Sequence, residues 1–491
     1  MVPWDVRLQA RYGLYAVYAV LIVLFVAGIR AVPPGPSRDV AFRLVVFSDP
    51  SMLGFYFIAA LVLFEKREGV LDALVTSPLS TRAYLWSKAL SLTVLALLAT
   101  TAITALGYGV DVNWAPLLLG VALTSLLFVF VGFVAVARFD SINAYFMTAL
   151  AYTTVLGAPV LGLLGLFETP LFYLLPAKPS LVLLEAALWR VSPLELTYAV
   201  GYLVLATAVA SLAAEQAFER HVVQDVSDPV TDRPPVGTGI GAGAGRGGRF
   251  GRGPVRSLVL ADLKNWLRDP LLVYIGLAPI LLGTVARFLV PFAEDSLGGL
   301  VDLAAYRPEV AAALFLFGPS IIGFAVGFLI LEDREQGTVV ALSLTPLGER
   351  GYLAYRVIVT TALSVAAAAV VVPLSGLVAA SLPWLLASSL VAGLYGPVTA
   401  LLLSGLAANS VEGIAFSKFL GFLVMIPVGL IAVVPTPWQH LAGFFPAYWP
   451  AVVLVWGERG AGSQSVAVAL GVGILVQSVA LALLVRQFHR Q

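Results

Sequence analysis

Long apolar runs recur along the chain near residues 12–30, 44–64, 89–107, 116–137, 144–164 and 196–214. After a polar gap they return near 271–290, 311–331, 357–380, 384–407, 414–434 and 464–485. Each run is close to the roughly 20 residues that a helix needs to cross the hydrocarbon core of a bilayer. Strands of a membrane barrel would alternate polar and apolar positions over about ten residues, whereas these runs are continuous and rich in Leu, Val, Ala and Gly. The pattern predicts an all-α polytopic membrane protein with about twelve transmembrane helices, six in each half.

Composition sharpens this picture. Hydrophobic residues make up 60% of the 491 positions and charged residues 12%, against about a quarter charged in soluble domains. The spans leave no stretch long enough for a soluble catalytic domain, so the chain divides into a first membrane half (1–214), a linker (215–256) and a second membrane half (257–491). From Gly237 to Gly253 nine residues are glycine, which makes the linker incapable of burying a core. Its arginines suit anionic lipid headgroups better than RNA, and a net charge of +1 offers no bulk field for nucleic acid. With both termini on the cytoplasmic side, 21 of the 29 Lys and Arg residues fall on that side, as positive-inside bias requires. This orientation expects a multi-pass plasma-membrane protein.

The halves repeat. Phe64–Lys88 lies over Glu332–Arg356 without a gap at an offset of 268, with identities at Gly69/Gly337, Ala73/Ala341, Leu74/Leu342, Pro78/Pro346, Leu79/Leu347, Arg82/Arg350, Tyr84/Tyr352 and Leu85/Leu353. Lys88 over Arg356 is conservative. Further anchors agree with small drifts: Asp5, Arg7 and Arg11 with Asp262, Lys264 and Arg268; Asp140-Ser141 with Asn409-Ser410; Pro176-Ala177 with Pro446-Ala447. Because six is even, two tandem six-helix repeats share one orientation and relate by an axis along the membrane normal.

Each half also has a short amphipathic segment before its first span. Trp4, Leu8, Tyr12 and Tyr15 fall on one helical face with Asp5, Arg7 and Gln9 elsewhere, and Val259, Leu263, Trp266 and Leu267 stand opposite Asp262, Lys264 and Arg268. Both read as interfacial helices. After the second span, Glu65, Glu68 and Asp72 punctuate Val70, Leu71, Leu74 and Val75 at helical spacing. Gly69 permits a bend and Pro78 ends the helix. A short amphipathic helix held below the membrane by two spans is placed to transmit movement.

An acidic cluster followed by Gly, Leu, Ser/Thr-Pro-Leu and Tyr-Leu with a basic residue resembles the segment after the second helix in permease subunits of type-2 ABC exporters. The resemblance extends over interfacial helix, six spans and a long outer segment, all present twice. It implies that these segments are coupling helices inserted into clefts of a separate cytoplasmic ABC ATPase, two copies per chain. Glu68, Gly69, Leu71, Leu74, Pro78, Glu335, Gly337, Leu342 and Pro346 would be the docking residues. An ungapped register sets Glu68 over Gln336 and Arg67 over Glu335, leaving open which first-half residue matches Glu335. The segments around Pro176 and Pro446 would be partly re-entrant outer elements. Helices two and five of each half would line the pathway, which offers Met52, Phe55, Tyr56, Phe146 and Tyr152, with Phe317, Phe324, Phe416, Phe419 and Phe422, to a small apolar or amphipathic compound such as a drug or lipid.

The residues themselves limit the chemistry. No lysine is preceded by Gly and followed by Ser or Thr, so the chain has no phosphate-binding P-loop, and ATP and Mg would act through the partner. Cysteine is absent, the three histidines are isolated, and no catalytic or metal-binding constellation stands out. A secondary transporter of the major facilitator type shares the twelve-helix plan. Its loop between helices two and three is shorter, and coupled carriers tend to place charges within their spans, where this sequence puts none near mid-depth.

Overall fold

A computed structural model describes residues 2–11, 14–48, 53–67, 69–71, 80–139, 142–223, 270–297, 302–343, 348–379, 381–407 and 409–488. All regular structure among them is helical, and the chain divides into two compact units, Met1–Pro229 and Val230–Gln491. The Gly-rich part of the linker, the second interfacial segment, and Met52, Glu68, Leu74, Pro78 and Pro346 lie outside the described residues.

The first unit comprises α1 (Val2–Arg11), α2 (Leu14–Ala31), α3 (Pro36–Val46), α4 (Leu53–Arg67), α5 (Thr81–Ile103), α6 (Trp114–Val136), α7 (Ile142–Gly157), α8 (Ala177–Ala186) and α9 (Pro193–Phe218). The second comprises α10 (Pro270–Leu297), α11 (Arg307–Glu335), α12 (Thr338–Ser343), α13 (Gly348–Ser375), α14 (Leu382–Leu406), α15 (Ser410–Val433), α16 (Tyr448–Glu458) and α17 (Ser463–Phe488). Nine helices among the described residues are long and apolar enough to cross a membrane. Helices α4, α7 and α15 stand at the other three expected positions, so each unit carries six helices in span positions.

In each unit the helix in the fourth span position is the hub. Helix α6 packs against α4, α5, α8 and α9; helix α14 packs against α11, α13, α15, α16 and α17. Helices α9 and α17 expose leucines such as Leu205, Leu212, Leu475 and Leu483, as lipid-facing spans do. Because lipid tails are as apolar as leucine, burial alone drives little helix association in a membrane, and close approach matters more. Helix α11 crosses α14 so tightly that a Cβ on Gly323 would overlap the Gly396 carbonyl.

The helices that flank the repeated loops run deeper into polar sequence than hydropathy predicts. Helix α5 starts at Thr81 rather than near 89, with the Ser80 hydroxyl accepting a hydrogen bond from the Ala83 amide at 3.3 Å, and α13 starts at Gly348 rather than near 357. Helix α11 continues to Glu335, beyond the expected end near 331. The intervening segment of the first unit is thus residues 68–80, not the whole charged stretch. Charged side chains on these turns neutralise one another, which lets the helices continue without unpaired charge.

Helix α1 is amphipathic and turns one polar stripe toward the protein. Asp5 and Gln9, one turn apart, are buried against the protein, whereas Trp4 is 73% exposed and Arg7 and Arg11 are exposed beside it. The small polar side chains face inward because span residues offer them hydrogen-bond partners.

Candidate functional site

The two repeated loops rise from matching polar stems. In the first unit Glu65, on the last turn of α4, accepts a hydrogen bond from the Tyr84 hydroxyl at 2.6 Å on one oxygen and from Lys88 Nζ at 2.6 Å on the other. Lys88 also reaches Asp5 of α1 at 3.3 Å, and the Ser87 hydroxyl donates a short hydrogen bond to the same carboxylate. Gln9 donates to the Ser91 hydroxyl at 2.8 Å. Lys88 is 2% exposed, so this cation is fully enclosed between two carboxylates.

The second unit repeats the clamp in the register of the 268-residue offset. Tyr352 donates to Asp333 at 2.6 Å, Arg356 Nη2 donates to the same oxygen at 2.7 Å, and Arg356 Nε donates to the Tyr352 hydroxyl at 3.3 Å. Lys88 lies 5.1 Å from the Tyr84 ring centroid and the Arg356 guanidinium 5.3 Å from that of Tyr352. Acid, tyrosine and cation thus occupy equivalent positions twice. A buried ion pair repays its desolvation only when further hydrogen bonds complete it, as tyrosine does in both units. Mechanically, each clamp ties together the ends of the two spans on either side of a loop.

Beyond each clamp the helix ends alike. Gly69 has φ 67° and Gly337 φ 69°. The Gly69 amide donates to the Lys66 carbonyl at 3.3 Å, and the Gly337 amide to the Arg334 carbonyl at 3.1 Å. This left-handed turn favours glycine and directs the chain sharply out of the helix.

The expected docking residues occupy different settings. Val70 is 45% exposed but Leu71 is 2% exposed, so Leu71 anchors the loop on its own unit and Val70 faces outward. Glu335 and Gly337 are exposed, and Leu342 lies on α12. Glu65, Asp333 and Asp5 were absent from the expected site set. Their signal was present, because an acid stands 23 residues before a cation in both halves.

Of the expected pathway residues, Phe55 is fully buried, with its ring centroid 5.3 Å from Tyr56 and 5.9 Å from Tyr145, so in this arrangement it offers packing rather than surface. Tyr56 and Thr153 hydrogen-bond at 3.0 Å and join α4 to α7, the helices in the second and fifth positions. Tyr152 and Phe317 are exposed. Phe324 packs edge-on to Phe328 at 4.6 Å and, with Phe416, covers a cluster formed by α11, α14 and α15. Phe422 is half-buried, and Phe146 and Phe419 lie on α7 and α15.

At the other end of each unit, Pro176 and Ala447 cap the short helices α8 and α16, each preceded by a 3-10 turn. Arg43 pairs with Glu185 at 3.6 Å and stacks 4.8 Å from the Trp189 ring centroid. In the second unit Arg459 pairs with Glu309 at 2.5 Å, joining the corresponding elements with the charges exchanged. No group of three His, Asp or Glu side chains among the described residues converges into a metal site.

Comparison with known proteins matches the two halves separately. A family model described as the fluoroquinolones export permease protein family covers residues 1–226, and one described as fluoroquinolones export permease protein Rv2686c-like covers residues 262–485. The fluoroquinolones export permease protein Rv2687c of Mycobacterium tuberculosis (strain ATCC 25618 / H37Rv) is 34% identical over 194 residues, 39% of this chain and 82% of its own. Rv2686c of the same strain, with the same description, is 33% identical over 200 residues, 39% of this chain and 77% of its own. No solved structure matches the chain.

Proposed function

We propose, from the premise that the chain belongs to the fluoroquinolones export permease protein family, that it joins in one polypeptide two permease halves of an ATP-driven exporter. Each half presents one coupling loop to a separate cytoplasmic ATPase, with both termini on the cytoplasmic side. The observation that carries this reading is the duplicated stem. Two loops separated by 268 residues have the same acid–tyrosine–cation clamp and the same left-handed glycine, as two equivalent lever arms would.

ATP binding and hydrolysis belong to the partner, and this chain supplies the path and the levers. Force applied to a loop passes through the clamp to two spans at once, because Glu65–Lys88 and Asp333–Arg356 bind their ends together. The cargo is a small amphipathic aromatic compound, in keeping with the relatives' names and with exposed Tyr152 and Phe317 on helices of the fifth and second positions. The test is ATP-dependent uptake of a fluorescent fluoroquinolone into inverted membrane vesicles carrying the chain and its ATPase. Uptake that stops without ATP supports the reading. Uptake driven by a proton gradient alone would overturn it.

A further inference from the structure

Helix α1 is bound to the protein by one face and leaves the other bare. Asp5 and Gln9 engage Ser87, Lys88 and Ser91 of α5, and the Tyr15 hydroxyl donates to Gln9 Oε1 at 3.4 Å. The opposite face shows Trp4, Arg7 and Arg11, at positions i, i+3 and i+7, with the Arg7 guanidinium 5.7 Å from the Trp4 ring centroid. Asp5 is the only carboxylate of the helix, and it is turned inward and already engaged. The exposed face therefore carries two cations and an aromatic ring beside Pro3 and Ala10, and no carboxylate. Helix α2 begins at Leu14, only a few residues later, which holds α1 at the membrane surface.

We propose that this face of α1 binds the headgroups of anionic phospholipids, with Trp4 inserted at the headgroup boundary and Arg7 and Arg11 on the phosphates. Tryptophan and arginine have the chemistry for this position: an amphipathic ring for the interface and a planar donor fork for phosphate. Because the inner face of the same helix holds Lys88, the headgroup site and the first coupling stem share one rigid element, and lipid charge acts on the stem through Asp5. The second stem reaches its cation through Asp333 and Tyr352 alone among the described residues.

The inference rests on α1 lying against the cytoplasmic leaflet, and the two can be tested apart. The full chain is reconstituted in phosphatidylcholine nanodiscs containing brominated phosphatidylglycerol or brominated phosphatidylcholine, and the quenching of Trp4 is read as the difference between the natural chain and Trp4→Phe. Brominated phosphatidylglycerol should quench Trp4 at much lower mole fraction. At about fivefold per arginine, Arg7→Gln with Arg11→Gln should erase roughly a 30-fold preference, while Arg7→Lys with Arg11→Lys should retain most of it. Equal quenching by the two lipids, no quenching by either, or a preference unchanged in the double Gln variant would overturn the proposal. Orientation is read separately by labelling Ala10→Cys in the otherwise cysteine-free chain with a membrane-impermeant maleimide. Labelling from outside the cell would refute the cytoplasmic placement without bearing on headgroup preference.

Discussion

The clamp of the second unit gives the cleanest measurement, because one cation there serves one carboxylate. Arg356→Met keeps an unbranched apolar stem but removes the guanidinium and leaves Asp333, 9% exposed, with Tyr352 as its remaining partner in the clamp. Breaking a buried pair by removing one member costs about 3–5 kcal/mol, most of it the penalty for the abandoned charge. Asp333→Asn removes that charge, so adding it to Arg356→Met should recover about 1.5–3 kcal/mol of the loss. This non-additivity is expected of contacting residues that share one network. The assay is thermal unfolding of the purified chain in one detergent, followed by tryptophan fluorescence, for the natural chain, both single variants and the double variant. At about 2–4 °C per kcal/mol for a unit of this size, Arg356→Met should lower the midpoint by roughly 6–20 °C. Losses that simply add in the double variant, or an Arg356→Met midpoint within about 1 °C of the natural chain, would refute the idea that this pair holds the stem.

The first unit should respond more steeply: Lys88→Met leaves two buried carboxylates, so its midpoint should fall below that of Arg356→Met, and an equal or smaller fall in the same assay would contradict the Asp5 contact. Gly337→Ala should cost about 1–2 kcal/mol from backbone strain alone, since nothing lies within 4 Å of an added Cβ, and Gly337→Asn should cost less. A larger loss with Asn than with Ala would show that the left-handed turn is not what matters. Gly323→Ala should cost about 1–3 kcal/mol through overpacking of α11 on α14, measured as the detergent melting midpoint, and an unchanged midpoint would mean that the helices cross less closely.

Hydropathy identified the membrane class and the six span positions of each half, because apolar runs of span length leave few alternatives, whereas the repeat was legible in the loop residues aligned at an offset of 268. Gly69 was legible as a bend, and it and its aligned partner Gly337 both adopt the left-handed backbone that a bend requires. Helix starts were less legible. Lys88 and Arg356 read as loop residues because hydropathy scores each side chain alone, whereas their burial depends on Glu65 and Asp333 on a neighbouring helix. The same limit hid which face of α1 is turned inward. Helical periodicity places Asp5 and Gln9 together, but only the Ser87, Lys88 and Ser91 side chains across the interface decide that this polar face turns inward. The resemblance set Leu71 among the docking residues, whereas its side chain, 2% exposed, is buried on its own unit.

The central claim is that one chain carries two working levers, and the most direct measurement is the mass of the intact complex by native mass spectrometry. The account predicts one permease chain with two ATPase subunits, and loss of ATPase from the complex when Leu74→Asp or Leu342→Asp places a charge in a docking loop. Two permease chains per complex, or full ATPase occupancy with both leucines replaced, would contradict it.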